Sequence, residues 1–115
     1  TRVELRSPDP AANPYLLLAL CLAAGLDGIK NKIEPPKAVN SNIFELSEKE
    51  MKKAKIESLP SSLHQAIKEM EADPFIREVL GDHVFSKYVE AKRAEWDNYR
   101  LQVTQWEIDE YLYKI

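Results

Sequence analysis

A mainly α fold is predicted, with an orphan β-strand at the N-terminus, a buried apolar helix and several amphipathic C-terminal helices. Three observations predict it. Residues 2–7 alternate charged and apolar side chains, the period-two pattern of a strand. Residues 14–30 open on an Asn-Pro pair and begin apolar on every face. The remaining sequence repeats the Ser/Thr-x-x-Glu/Gln pattern that opens helices, at Ser47/Glu50, Ser62/Gln65 and Thr104/Glu107.

The strand places Arg2, Glu4 and Arg6 on one side and Val3 and Leu5 on the other. One strand cannot satisfy its own backbone, and no convincing second strand follows, so its partners are expected outside these residues. Pro8-Asp9-Pro10 ends it, because proline has no N–H to give a ladder. Asn13 then caps a helix with Pro14 at its first position, running to about Lys30 and weakened around Gly25 and Gly28. Its Tyr15–Leu22 stretch has no polar side, which suits a helix covered all round inside a larger body. Burial of each leucine is worth roughly 1.5–3 kcal/mol, and the other segments are too amphipathic to supply that cover. Cys21, inside the run, is expected to be a buried packing residue.

A proline-containing connector covers residues 33–46, and a helical tail region covers 47–115. Within the tail region, a short basic helix is expected from Ser47 to about Lys55, with Lys49, Lys52 and Lys53 on a solvated face. Leu63, Ala66, Ile67 and Met70 form a helical stripe. Asp73-Pro74 starts a short helix closed by Gly81. A long helix follows from Asp82 to about Val103, with Val84, Phe85, Tyr88, Trp96 and Tyr99 as packing candidates. The last helix carries Trp106, Tyr111 and Leu112, either as a docking tail or folded back on the long helix.

Composition narrows the function classes. The 115 residues, 44% hydrophobic and 30% charged, suit one soluble domain rather than a disordered chain. A net charge of −3 argues against a nucleic-acid surface built on bulk electrostatics. One cysteine cannot build a disulfide framework, which favours a reducing, cytoplasmic setting. The longest apolar run, Tyr15–Leu26, is shorter than the ~20 residues that span a bilayer. It also lacks the basic flank of a secretory signal, so no membrane partner is expected. The orphan strand and the start at Thr1 imply a segment of a longer polypeptide.

The Arg2, Glu4, Arg6 row is the most chemically suggestive feature. A carboxylate offers hard oxygen to Mg²⁺ or Mn²⁺, and flanking guanidiniums offer planar forks to phosphate or carboxylate oxygens. Pattern alone also admits an ordinary charged strand face. His64 and His83 lack metal-ligand spacing, and there is no glycine-rich phosphate loop.

The string RVELRSPDPAANPYL, followed by AGLDGIKNKIEPP, strongly resembles the corresponding stretch of bacterial type I glutamine synthetases. The likeness continues more loosely through NIFELSEKE, LPSSLHQAI, VFSKYVEAKRAEWDNYR and QVTQWEIDEYL, and so covers essentially the whole chain. The resemblance implies the C-terminal part of an α+β catalytic domain that joins glutamate and ammonia, using ATP and divalent metals. It further implies that Glu4 ligates the metal at the nucleotide phosphates. Arg2 contacts those phosphates and the phosphoryl group in transfer, and Arg6 engages the substrate glutamate. In this family the helical tail ties two rings of subunits into a homo-dodecamer, which assigns Trp106, Tyr111 and Leu112 to subunit contacts. Where the adenylylated branch carries a tyrosine, this sequence has Phe44, which has no hydroxyl to modify. The alternative is a freestanding helical protein-interaction or assembly module. The isolated segment is expected to be inactive and to need the rest of its subunit as partner.

Overall fold

The computed structural model describes residues 1–114, so the final residue of the predicted 47–115 region lies outside the described residues. The chain divides into two compact units, Thr1–Pro60 and Ser61–Ile115.

In the first unit, helix α1 spans Pro14–Lys30. Asn13 Oδ1 accepts from the Tyr15 and Leu16 N–H groups at 3.0 and 3.2 Å, the expected cap. Neither Gly25 nor Gly28 interrupts it. It ends in a Schellman turn: Ile33 N–H reaches back to Gly28 C=O at 2.9 Å, with Lys32 in the left-handed region at φ 53. Helix α2, Glu48–Lys53, follows a single 3₁₀ turn at Ile43–Glu45. Its capping box is complete. Ser47 Oγ accepts from Glu50 N–H, and the Glu50 carboxylate accepts from Ser47 N–H at 2.8 Å. The Ser47 hydrogen bonds hold the Glu50 carboxyl below the usual carboxylate range. The helix closes as α1 does, with Lys55 at φ 55 and Ile56 N–H on Met51 C=O.

Two expectations for this unit are corrected. No strand forms over residues 2–7, and none is present among the described residues. A strand is defined by the ladder it shares, and here residues 2–7 have no ladder partner. Nor is α1 buried. It has no buried residue, and Tyr15, Leu18, Leu22, Leu26 and Ile29 are each at least 57% exposed. They recur at three- and four-residue spacing, so they form one apolar stripe. The other elements of the unit are one 3₁₀ turn and a six-residue helix, too little apolar surface to cover seventeen residues. Cys21 shares this fate and is exposed.

The second unit encloses a small core of its own. Helix α3, Leu63–Ala72, is capped by Ser62, whose Oγ accepts from Gln65 N–H at 3.2 Å. The reciprocal bond is displaced by one residue: Gln65 Oε1 accepts from Ser61 N–H at 2.9 Å instead. Helix α4 spans Pro74–Arg100, with Asp73 capping Phe75 N–H at 2.9 Å. It bends at Gly81, whose φ 72 and ψ 156 are non-helical, so the expected break between a short and a long helix is present. Ile67 of α3 packs with Phe85 and Val89 of α4, and Leu63, Met70, Ile76, Leu80 and Trp96 close around them. Of the predicted packing positions, Tyr88 is half-buried, whereas Ala66, Val84 and Tyr99 face solvent. The Arg77 guanidinium lies 4.3 Å from the Phe85 ring centroid and pairs with Asp82 at 2.9 Å, bracing the bend.

The chain continues into a short helix, α5, at Gln105–Glu107, followed by a π-turn at Ile108–Leu112. The predicted Thr104/Glu107 box is complete, with Thr104 N–H on Glu107 at 2.7 Å. That backbone bond, with the Thr104 hydroxyl, holds the Glu107 carboxyl below its usual range.

Candidate functional site

The charged row keeps its one-sided geometry without a ladder. Arg2 Nη2 lies 3.2 Å from Glu4 Oε2, and Arg6 Nε lies 2.5 Å from Glu4 Oε1, so both guanidiniums converge on one carboxylate. The arginine side chains are 82% and 85% exposed, and that of Glu4 is 43% exposed. All three are therefore open to an incoming ligand. Two cationic forks around one carboxylate can take up phosphate or carboxylate oxygens on the outside while Glu4 keeps them on one side. Pairs this exposed are worth little as stability, about 0–1 kcal/mol. Their geometry therefore matters to what they can bind rather than to folding.

Glu4 offers one hard oxygen donor group suited to Mg²⁺ or Mn²⁺. Among the described residues no group of three or more His, Cys, Asp or Glu side chains could hold a metal ion. Glu4 alone could supply one ligand to such a cation, and the described residues assemble no full set around it. His64 and His83, both exposed, take no part in such a cluster.

In the tail, Trp106 and Tyr111 meet edge to face, with ring centroids 5.8 Å apart and planes at 89°. They pack on each other and still stay 64% and 61% exposed, with Leu112 at 60%. The result is an apolar knob presented to solvent.

A third feature has no counterpart in the sequence reading. Between α3 and α4 lies a concavity of about 550 Å³, lined by His64, Ile67, Lys68, Glu71, Arg93, Trp96, Asp97 and Arg100. His64 stacks on Trp96 with centroids 5.7 Å apart and planes at 23°, and Arg93 bridges to Glu71 across the groove. The lining residues recur at intervals of three and four on each helix. That spacing could have grouped each face, though not matched one face to the other.

Residues 1–111 match the family described as glutamine synthetase, catalytic domain. The chain belongs to the glutamine synthetase family. Its curated relatives include a glutamine synthetase of Methanosarcina mazei, 56% identical over 97% of this chain and 25% of that protein. A glutamine synthetase of Clostridium saccharobutylicum is 52% identical over 99% and 26%, and one of Thermus thermophilus is 50% identical over 97% and 25%. Among solved structures, one described as "Apo GmaS without ligand" superposes with a TM-score of 0.74 at 36% identity, over 94% of this chain and 24% of that one. The chain thus spans about a quarter of the length of the glutamine synthetases it matches. No described helix is long and apolar enough to cross a membrane.

The glutamine synthetase match makes Phe44 informative. Its side chain is fully exposed on the 3₁₀ turn, with its N–H held by Asn42 Oδ1 at 3.2 Å. It is presented to solvent but has no oxygen to accept a nucleotidyl group.

Proposed function

We propose that this chain is the C-terminal part of the catalytic domain of an ATP-dependent glutamate–ammonia ligase, and that Arg2, Glu4 and Arg6 are its contribution to the active site. The reaction runs in two displacements. The substrate γ-carboxylate attacks the terminal phosphorus of ATP and releases ADP. Ammonia then attacks the carbonyl carbon of the γ-glutamyl phosphate and releases phosphate. Both steps gather negative charge on oxygens, so fixed cations and positioning carry most of the catalysis.

Each member of the row suits one part of that task. Arg2 is assigned to the nucleotide phosphates and the phosphoryl group in transfer, where a planar fork can follow two oxygens at once. Arg6 is assigned to the substrate glutamate, holding its carboxylate in register for attack. Glu4 holds both forks on one side, and its carboxylate is assigned as a ligand of Mg²⁺ or Mn²⁺. When bound, that cation neutralises phosphate charge. The observation that carries this reading is the convergence of Arg2 and Arg6 on Glu4.

The remaining ligands and most of the ATP pocket would come from the rest of the subunit and its neighbours in a cytoplasmic dodecamer. The isolated chain should therefore form no glutamine from glutamate, ammonia, ATP and Mg²⁺, while the complete protein does. Turnover by the chain alone would refute the shared-site reading.

The exposed Trp106–Tyr111 knob and Leu112 support a role for the tail in joining subunits, since large aromatic anchors dominate interface energy. Deleting residues from Trp106 onward in the complete enzyme should convert dodecamers to smaller rings on sedimentation. Unaltered dodecamers would remove the tail from the ring contact.

A further inference from the structure

The tail from Thr104 onward has no core to hold its shape. Neither α5 nor the π-turn contains a buried residue, yet Trp106 and Tyr111 keep a defined edge-to-face contact. A segment this short is marginal on its own, because a first helical turn fixes several residues for one hydrogen bond. Its order has to come from local bonds, and these are dense. Thr104 Oγ1 accepts from Glu107 N–H at 3.2 Å and donates to the Glu107 carboxylate at 2.8 Å, while Thr104 N–H reaches the same carboxylate. Ile108 N–H bonds to Thr104 C=O at 3.1 Å, Gln105 Nε2 donates to Asp109 Oδ1 at 2.8 Å, and Lys114 pairs with Glu110. Upstream, Gln102 Nε2 donates to Asn98 C=O at 3.1 Å and so closes α4 just before the box.

Trp106 and Tyr111 are five residues apart. At about 3.6 residues per turn, an α-helix would set them about 140° apart around its axis, too far for their rings to meet on one side. A π-turn is bonded from i to i+5 and brings such a pair over one another. The π-turn at Ile108–Leu112 thus accounts for ring centroids only 5.8 Å apart. Capping at Thr104 starts the turn, and widening at Ile108 aims Tyr111.

We propose that Thr104, Glu107 and the π-turn form the Trp106–Tyr111 knob in advance, so that it meets a second subunit as a rigid peg rather than an ordering coil. This rests on the tail's proposed role in joining subunits and adds what shapes it. Thr104 and Glu107 are positioning residues that act through the ring pair. Order before contact removes the cost of freezing rotatable side chains at the moment of docking, and aromatic anchors carry a large share of interface energy.

NMR of the 115-residue chain and sedimentation of the complete enzyme test this together. Cross-peaks between the Trp106 indole and the Tyr111 ring are expected in the unaltered chain. The Thr104→Ala, Glu107→Ala double variant should lose them while the signals of Phe85 and Val89 stay in place, since both substituted side chains are exposed. The Thr104→Ser, Glu107→Gln variant keeps a hydroxyl and an acceptor, and should retain the cross-peaks. In the complete enzyme the double alanine variant should raise at least tenfold the protein concentration at which dodecamers half-dissociate, and the conservative variant should restore it. Cross-peaks that persist in the double alanine variant would overturn the proposal. Dodecamers lost on deleting residues from Trp106 onward but unaltered in the double alanine variant would overturn the positioning role and leave the ring contact standing. Dodecamers that survive both changes would remove the ring contact and the proposal with it.

Discussion

Arg6→Ala in the complete enzyme is expected to lower kcat by about 10²–10³, the usual loss when one preorganised donor is removed from developing charge. Among the described residues Arg6 is 85% exposed and pairs with Glu4 of its own segment, so the substitution removes no side chain packed within this chain. The loss is therefore expected in turnover and in apparent glutamate affinity rather than in protein yield. Arg6→Lys should recover only part of the rate, because an ammonium keeps the charge but not the planar fork. Steady-state kinetics with glutamate varied at saturating ATP would measure both effects. Normal turnover in Arg6→Ala would exclude Arg6 from the site and remove one of the two forks from the mechanism.

Phe85→Ala is expected to destabilise the α3–α4 hairpin by about 3–5 kcal/mol, the range for removing a buried aromatic ring. Phe85 is 2% exposed and is the largest fully buried side chain of the core. The substitution also takes away the ring beneath the Arg77 guanidinium at the bend. A loss of that size approaches the whole stability of a small domain, about 5–15 kcal/mol. Urea denaturation of the chain, followed by circular dichroism and by Trp96 fluorescence, should show an early and broadened transition. Val84→Ala, at a position 40% exposed, is the control and should shift stability by less than about 1 kcal/mol. Equal behaviour of the two variants would show that the core is not centred on Phe85.

The helices were largely legible because their ends are written in local chemistry. Asn13-Pro14, Ser47/Glu50, Asp73-Pro74 and Thr104/Glu107 each act within a few residues, and each cap forms as expected. The Ser62 cap shows the limit. Whether Gln65 answers Ser62 or Ser61 depends on a rotamer that spacing cannot determine. The one-sided charged row was equally local, since alternation in an extended segment suffices to bring Arg2 and Arg6 to Glu4. What could not be read from local pattern is everything settled by a surface elsewhere. Period-two alternation at residues 2–7 states a capacity for pairing, and a strand appears only when a second strand is present. Apolar character around α1 likewise states a need for cover, and Leu18, Leu22 and Leu26 stay exposed in this chain. The stacking of His64 on Trp96 and the Arg93–Glu71 bridge join separate helices, so no local periodicity announces them.

The bend at Gly81 shows handedness, not bulk, deciding which residue a position accepts. A methyl group built there would meet no atom within 4 Å, so the site has room for a larger side chain. Its φ of 72 with ψ of 156 nevertheless belongs to a region closed to ordinary L-amino acids. A mirror-image alanine would match that torsion, whereas its natural enantiomer would favour straightening the chain and would pull Ile76 and Leu80 out of alignment with Phe85 and Val89. The one achiral backbone carbon of the bend thus keeps both arms of α4 against the same core.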